Sequence, residues 1–139
     1  MKYLLDTCCI RDFVKGDKNT AQHLKHTTPS DIAISSITVM ELEYGLLYDP
    51  QRTKKLKPII QAIISSVTVL PYTESDAKTS ALIRAKMRKS GTPIGSYDIL
   101  IAGTAVNHKL TLVTSNEKEF RQVSELTLEN WRSQRKETR

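Results

Sequence analysis

The sequence predicts an α/β protein, a three-layer α/β/α sandwich around a central parallel sheet of four to five strands. Two observations carry this. Short apolar runs alternate with helical patterns, the order that produces strand–helix–strand crossovers and a parallel sheet covered on both faces. A chain of 139 residues, 39% hydrophobic and 26% charged, has room for one such domain with a real core. The whole of 1–139 is therefore expected to form a single domain. No internal repeat, low-complexity tract or Gly/Ser linker divides it.

The expected strands are "KYLL" (2–5), "IAIS" (32–35), "VTVL" (67–70) and "TLVT" (111–114). Thr38 to Tyr48 reads as a helix. "PIIQAIISS" reads as another, with Pro58 at its first position, where a missing N–H costs nothing. Glu74 to Ser90 has Thr73 as its expected N-cap and Gly91 as its expected C-cap. Tyr97 to Asn107 is nearly all apolar or small, as a helix buried against a sheet should be. Glu117 to Val123 reads as a last short helix.

Composition narrows the function classes. No apolar run approaches the roughly 20 residues that cross a bilayer, and the N-terminus lacks the apolar region and cleavage site of a signal peptide. A cytoplasmic location is expected. Lys and Arg outnumber Asp and Glu by 21 to 15, a formal charge of +6 that favours encounter with phosphate backbones. The two cysteines, Cys8 and Cys9, have no metal-like spacing to His23, His26 or His108. They read as small, buried residues of a reducing compartment.

The informative residues are acidic. In a parallel sheet, functional groups collect at the carboxyl ends of strands and the amino ends of the helices that follow. Asp6 ends the first expected strand, Glu41 lies in the first turn of the next helix, and Asp98 heads the buried helix. Asn116 and Glu119 follow the fourth strand. Each has a plainer explanation. Asp6 suits a turn, Thr38-x-x-Glu41 and Asn116-x-x-Glu119 have the form of capping boxes, and Asp98 complements a helix dipole with Ser96 as cap.

Asp98 fits its plainer explanation least. It shares a helical stripe with Ala102 and Ala105, so its charge points inward and needs a cationic partner. A hard divalent ion such as Mg²⁺ or Mn²⁺ would satisfy several such carboxylates together. In a basic protein that combination points to phosphodiester hydrolysis. Arg84, Lys86, Arg88 and Lys89, with Lys54, Lys55 and Lys57, are candidates to hold the polyanion.

Four stretches in order, "YLLDT" (3–7), "ISSITVMELEYG" (34–45), "GTPIGSYDILIAGTA" (91–105) and "LVTSNEKEF" (112–120), resemble the PIN-domain ribonucleases. Within them the chain resembles the VapC toxins of bacterial toxin–antitoxin pairs, and "LTLENW" (126–131) is similar to their tail. The resemblance implies a PIN-like parallel sandwich that cleaves RNA with Mg²⁺ or Mn²⁺. It implies catalytic roles for Asp6, Glu41, Asp98 and Glu119, with Asp6, Asp98, Glu41 and Asn116 toward the metal. It selects Glu41 over Glu43, which lies nearer the middle of the helix's apolar stripe.

The subgroup with asparagine at position 116 resembles endonucleases specific for initiator tRNA, cutting in the anticodon stem-loop. The resemblance further implies a homodimer and a VapB-type antitoxin whose tail occupies the active-site groove. Two departures stand out: Asn116 where many relatives have aspartate, and Cys8 where they carry asparagine or serine. Both leave open a degenerate domain that binds RNA or a partner without cutting. A phosphoacceptor receiver domain would need an aspartate after its third strand, where this chain has "LPY".

Overall fold

A computed structural model describes residues 1–133. Residues 134–139, the end of the expected single domain, lie outside the described residues. Strand β1 (Tyr3–Leu5) leads into α1 (Thr7–Val14) and α2 (Lys18–His26). A 3-10 turn (Pro29–Asp31) then precedes β2 (Ile32–Ser35), α3 (Ser36–Tyr48), α4 (Pro50–Ser66) and β3 (Thr68–Leu70). The second half comprises α5 (Glu74–Ser90), α6 (Ser96–Asn107), β4 (Thr111–Val113), α7 (Glu117–Phe120) and β5 (Leu128–Glu129).

The sheet is five-stranded and wholly parallel, in the order β3-β2-β1-β4-β5. The chain runs outward from β1 to β3 and then crosses to β4 on the other side of β1. Strand order thus reverses between β1 and β4, where the carboxyl ends leave a crevice.

Side chains alternate across this sheet with the period of two that strands impose. Leu4, Ala33 and Leu112 face one way and pack against Ile83 and Met87 of α5, Ile101 and Ala105 of α6, and Phe120. Leu5, Ile34 and Val113 face the other way and pack against Ile10 of α1, Leu42 of α3, Ile60 of α4, and Trp131. The three-layer sandwich is the expected one, with the fifth strand at the "LE" of the tail.

Several boundaries differ from expectation. α4 begins at Pro50, capped by Asp49, and Pro58 lies inside it. Pro50 already fills the first position, where proline is tolerated, so the helix has formed before Pro58 is reached. α3 begins at Ser36 with Ser35 as cap, so Glu41 sits in the second turn, and buried Thr38 Oγ1 has no hydrogen-bond partner. Gly95 rather than Ser96 occupies the N-cap of α6, and α7 stops at Phe120.

α1 and α2 are not among the helices expected from the sequence. Their starts are set by side-chain caps: Asp6 accepts from the Cys9 N–H and Asp17 from the Thr20 N–H. α5 matches expectation at both ends. Thr73 and Asp76 form a reciprocal capping box, and Gly91 takes the left-handed conformation (φ +68°) that a non-glycine residue rarely adopts. The tail is fastened by Trp131, 2% exposed, which stacks on His23 and meets Tyr3 edge-on.

Candidate active site

Asp6 closes β1 and begins α1, which places its carboxylate at the reversal of strand order. It is 2% exposed. Burial raises its pKa to about 6, against the Thr114 hydroxyl and the Cys9 N–H, and the nearby charges of Asp12 and Glu41 add to the rise.

Glu41 approaches from α3. Its Oε1 accepts a hydrogen bond from the Thr7 hydroxyl at 2.7 Å, which joins the first turn of α1 to the middle of α3. Glu43, two residues on, is exposed to solvent. The helical wheel misleads here because α3 also exposes Tyr44, Leu47 and Tyr48, so its apolar stripe does not mark the core face.

Asp98 lies in the first turn of α6 and Glu119 in α7. The two share a hydrogen bond, and the proton belongs to Asp98. Burial first, then the bond and charge of Glu119, then Asp6 and Glu41, raise the Asp98 pKa to about 7. Burial also opposes ionisation of Glu119, yet the Gly95 N–H, Asp98 and the Asn116 amide together hold it below the usual glutamate range. Asn116 Nδ2 donates to Glu119 Oε2 at 2.7 Å, and the Gly95 N–H donates to Oε1.

All four carboxylates expected from the sequence therefore meet at one sheet edge, with Asn116 bracing the fourth. Sequence reasoning assigned no role to Thr7, Gly95 or Thr114. All three lie within quoted stretches, but the Thr7 and Gly95 contacts span 34 and 24 residues and leave no local signal. The three ion pairs among the described residues, Lys86–Glu125, His108–Asp76 and Arg132–Asp12, leave these four acids without a cation.

The donor set suits a hard divalent cation. Every candidate ligand is oxygen, and neighbouring acids add to the raised pKa values of Asp6 and Asp98, the electrostatic signature of a site short of positive charge. Cys8 would not compete: burial first, then Asp6 and Asp98, push its thiol up to about 12, and Cys9 is also raised. Among the described residues no three acidic, histidine or cysteine side chains form a ready-made cage. Mg²⁺ does not require one, because it keeps several waters and uses one or two carboxylates directly.

Together the architecture and the geometry define an α/β domain with a carboxylate-lined site at its topological switch point. The chain belongs to the PIN-domain family, whose PIN domain profile matches residues 3–126. It is 36% identical over 135 residues to the tRNA(fMet)-specific endonuclease VapC of Salmonella typhimurium, covering 94% of this chain and 98% of that protein. It is 32% identical to the protein of the same name from Shigella flexneri, with the same coverage. Among solved structures it resembles the DNA-bound VapBC complex of Salmonella typhimurium, with TM-score 0.85, 34% identity and coverage of 94% and 98%. It also resembles VapBC2 of Rickettsia felis bound to a promoter DNA fragment, with TM-score 0.84, 30% identity and coverage of 94% and 99%.

Proposed function

We propose that this protein is the toxin of a toxin–antitoxin pair, a metal-dependent endoribonuclease that hydrolyses RNA phosphodiester bonds. The carrying observation is the convergence of Asp6, Glu41, Asp98 and Glu119 at the switch point, none of them in an ion pair among the described residues. The likeness to VapC endonucleases supports RNA as substrate, and the names of the first two relatives support initiator tRNA. The VapBC neighbours support a VapB-type antitoxin as partner.

A cavity of about 370 Å³ beside Glu41, with Leu42, Leu46 and Ile60 on its apolar side and Arg11, Lys15 and Arg52 on its basic side, would admit an amphipathic antitoxin segment next to the acidic site. Exposed Tyr44, Leu47 and Tyr48 on α3 are consistent with a homodimer. Among the described residues no helix is long and apolar enough to cross a membrane, which is compatible with action in the cytoplasm.

Asp6 and Asp98 would hold Mg²⁺ or Mn²⁺ directly, with Glu41 close by. The bound ion supplies a low-pKa water and charge stabilisation at the scissile phosphate. As a metal ligand Asp98 would be ionised, and Glu119, still held by the Gly95 N–H and the Asn116 amide, would be placed to accept a proton from the attacking water. Thr7 holds Glu41 in place, and the Asn116 amide oxygen remains available to a ligand or water.

The test is cleavage of purified tRNA with Mg²⁺, Mn²⁺ or EDTA, with 5′-end mapping of the fragments. Cleavage that needs the metal and disappears in folded Asp6→Asn and Asp98→Asn proteins is the expected result. Asn116, which brings no charge where many relatives carry one, favours a second reading, a binder without nuclease activity. Intact RNA retained on the protein with either metal would establish that reading instead.

A further inference from the structure

A cleft of about 700 Å³ opens between α5 and the segment that starts α6. That volume falls within the range of about 300–1,000 Å³ usual for ligand pockets. Arg84 and Arg88, one helical turn apart on α5, line one wall, while Ile94, Tyr97 and Leu100 line the other. No aspartate or glutamate lines it. Lys86 on the same helix is paired with Glu125, but among the described residues neither arginine has an acid within ion-pair distance.

The first turn of α6 forms the ridge between this cleft and the acidic site. Ser96 and Tyr97 line the cleft, and the next residue, Asp98, bonds to Glu119 on the other side. Tyr97 is half exposed, at 51%. An aromatic ring, an apolar wall and two free guanidinium groups match an unstacked base and its flanking phosphates. The cleft itself offers no acid to pair with the arginines of a second copy.

We propose that this cleft binds an unpaired nucleotide of the RNA next to the cleaved bond, with Tyr97 stacking on the base and Arg84 and Arg88 holding phosphates. The inference rests on the ribonuclease reading above.

The probe is a fluorescein-labelled RNA hairpin with an unpaired loop, titrated by anisotropy against the Asp98→Asn protein, which cannot cut it. Tyr97→Ala should weaken binding roughly tenfold, and Tyr97→Phe should restore it. Arg84→Ala/Arg88→Ala should make the log–log salt dependence shallower by about 1.4, the value for two single-strand phosphate contacts. In the cutting-competent chain, the same arginine substitutions should raise KM and leave kcat near the parent's.

Parental affinity and salt dependence in both variants, with cleavage still abolished by Asp6→Asn, would overturn the subsite alone. A change in mass by light scattering accompanying the loss of affinity would make the cleft an interface between copies and overturn the proposal too. A parent chain that neither binds nor cuts RNA would remove the ribonuclease reading and the subsite with it.

Discussion

The Thr7 hydroxyl donates to Glu41 Oε1 at 2.7 Å and bridges two helices that start at adjacent strands of the sheet. Thr7 follows Asp6 directly, so the residue that aims one carboxylate is chained to the residue that would coordinate beside it. Supporting contacts of this kind typically change activity by about 10–100-fold when removed. Thr7→Ala should lower kcat/KM for RNA cleavage by about that factor, and Thr7→Ser should retain most of the activity. Equal rates for parent and Thr7→Ala would show that Glu41 needs no brace.

The raised carboxyls also set a pH dependence of stability. In the metal-free chain Asp6 and Asp98 keep protons that the unfolded chain has already lost, so the native state binds more protons between about pH 4 and 7. Stability should therefore fall as pH rises through that window. For buried Asp6 alone the loss is about 3 kcal/mol. Thermal unfolding in EDTA should show Tm falling from pH 5 to about pH 7.5. Asp6→Asn should flatten the slope, and Mg²⁺ should restore Tm most strongly at the high end. A flat profile in EDTA would contradict the buried, cation-starved site.

Gly95 offers a separation of fold from chemistry. A Cβ added there would lie 3.3 Å from Glu119 Oε1 and 3.4 Å from Asp98 Oδ2, while its φ of −59° suits any residue. Gly95→Ala should leave Tm within a few degrees of the parent, yet cut cleavage severalfold by pressing the two carboxyls off their shared bond. Unchanged cleavage would mean that the pair tolerates displacement.

Gly103 acts on the fold instead. A Cβ there would meet the Ser80 backbone nitrogen at 2.9 Å, so α5 and α6 approach closely only because position 103 has no side chain. Overpacking of this type costs about 1–3 kcal/mol. Denaturant unfolding of Gly103→Ala should show that loss, while RNA cleavage per folded molecule stays near the parent's.

Much of this architecture is legible in the chain because its signals are local. The strands at 32–35 and 111–113, the Thr73 and Gly91 caps and the small-residue helix at 96–107 each depend on a few neighbouring residues. Asp6 and Asp98 were legible for a related reason, since strand ends and helix starts of a parallel sheet share an edge. α2 was not legible, because Thr20 is its only buried residue and its hold comes from Asn19 and Thr20 bonding to the distant Trp131 carbonyl.

Sequence by itself determined the layered α/β class and four of the five strands, and it named the acids as candidates, Glu41 and Glu119 through the family resemblance. Tertiary structure decided which acids are charged and what holds them. Glu41 depends on Thr7, and Glu119 on Gly95 and Asn116, and the Asp98 proton depends on burial together with three other acids. Desolvation and long-range hydrogen bonds arise only when segments far apart in the chain are packed together, and no local pattern records them.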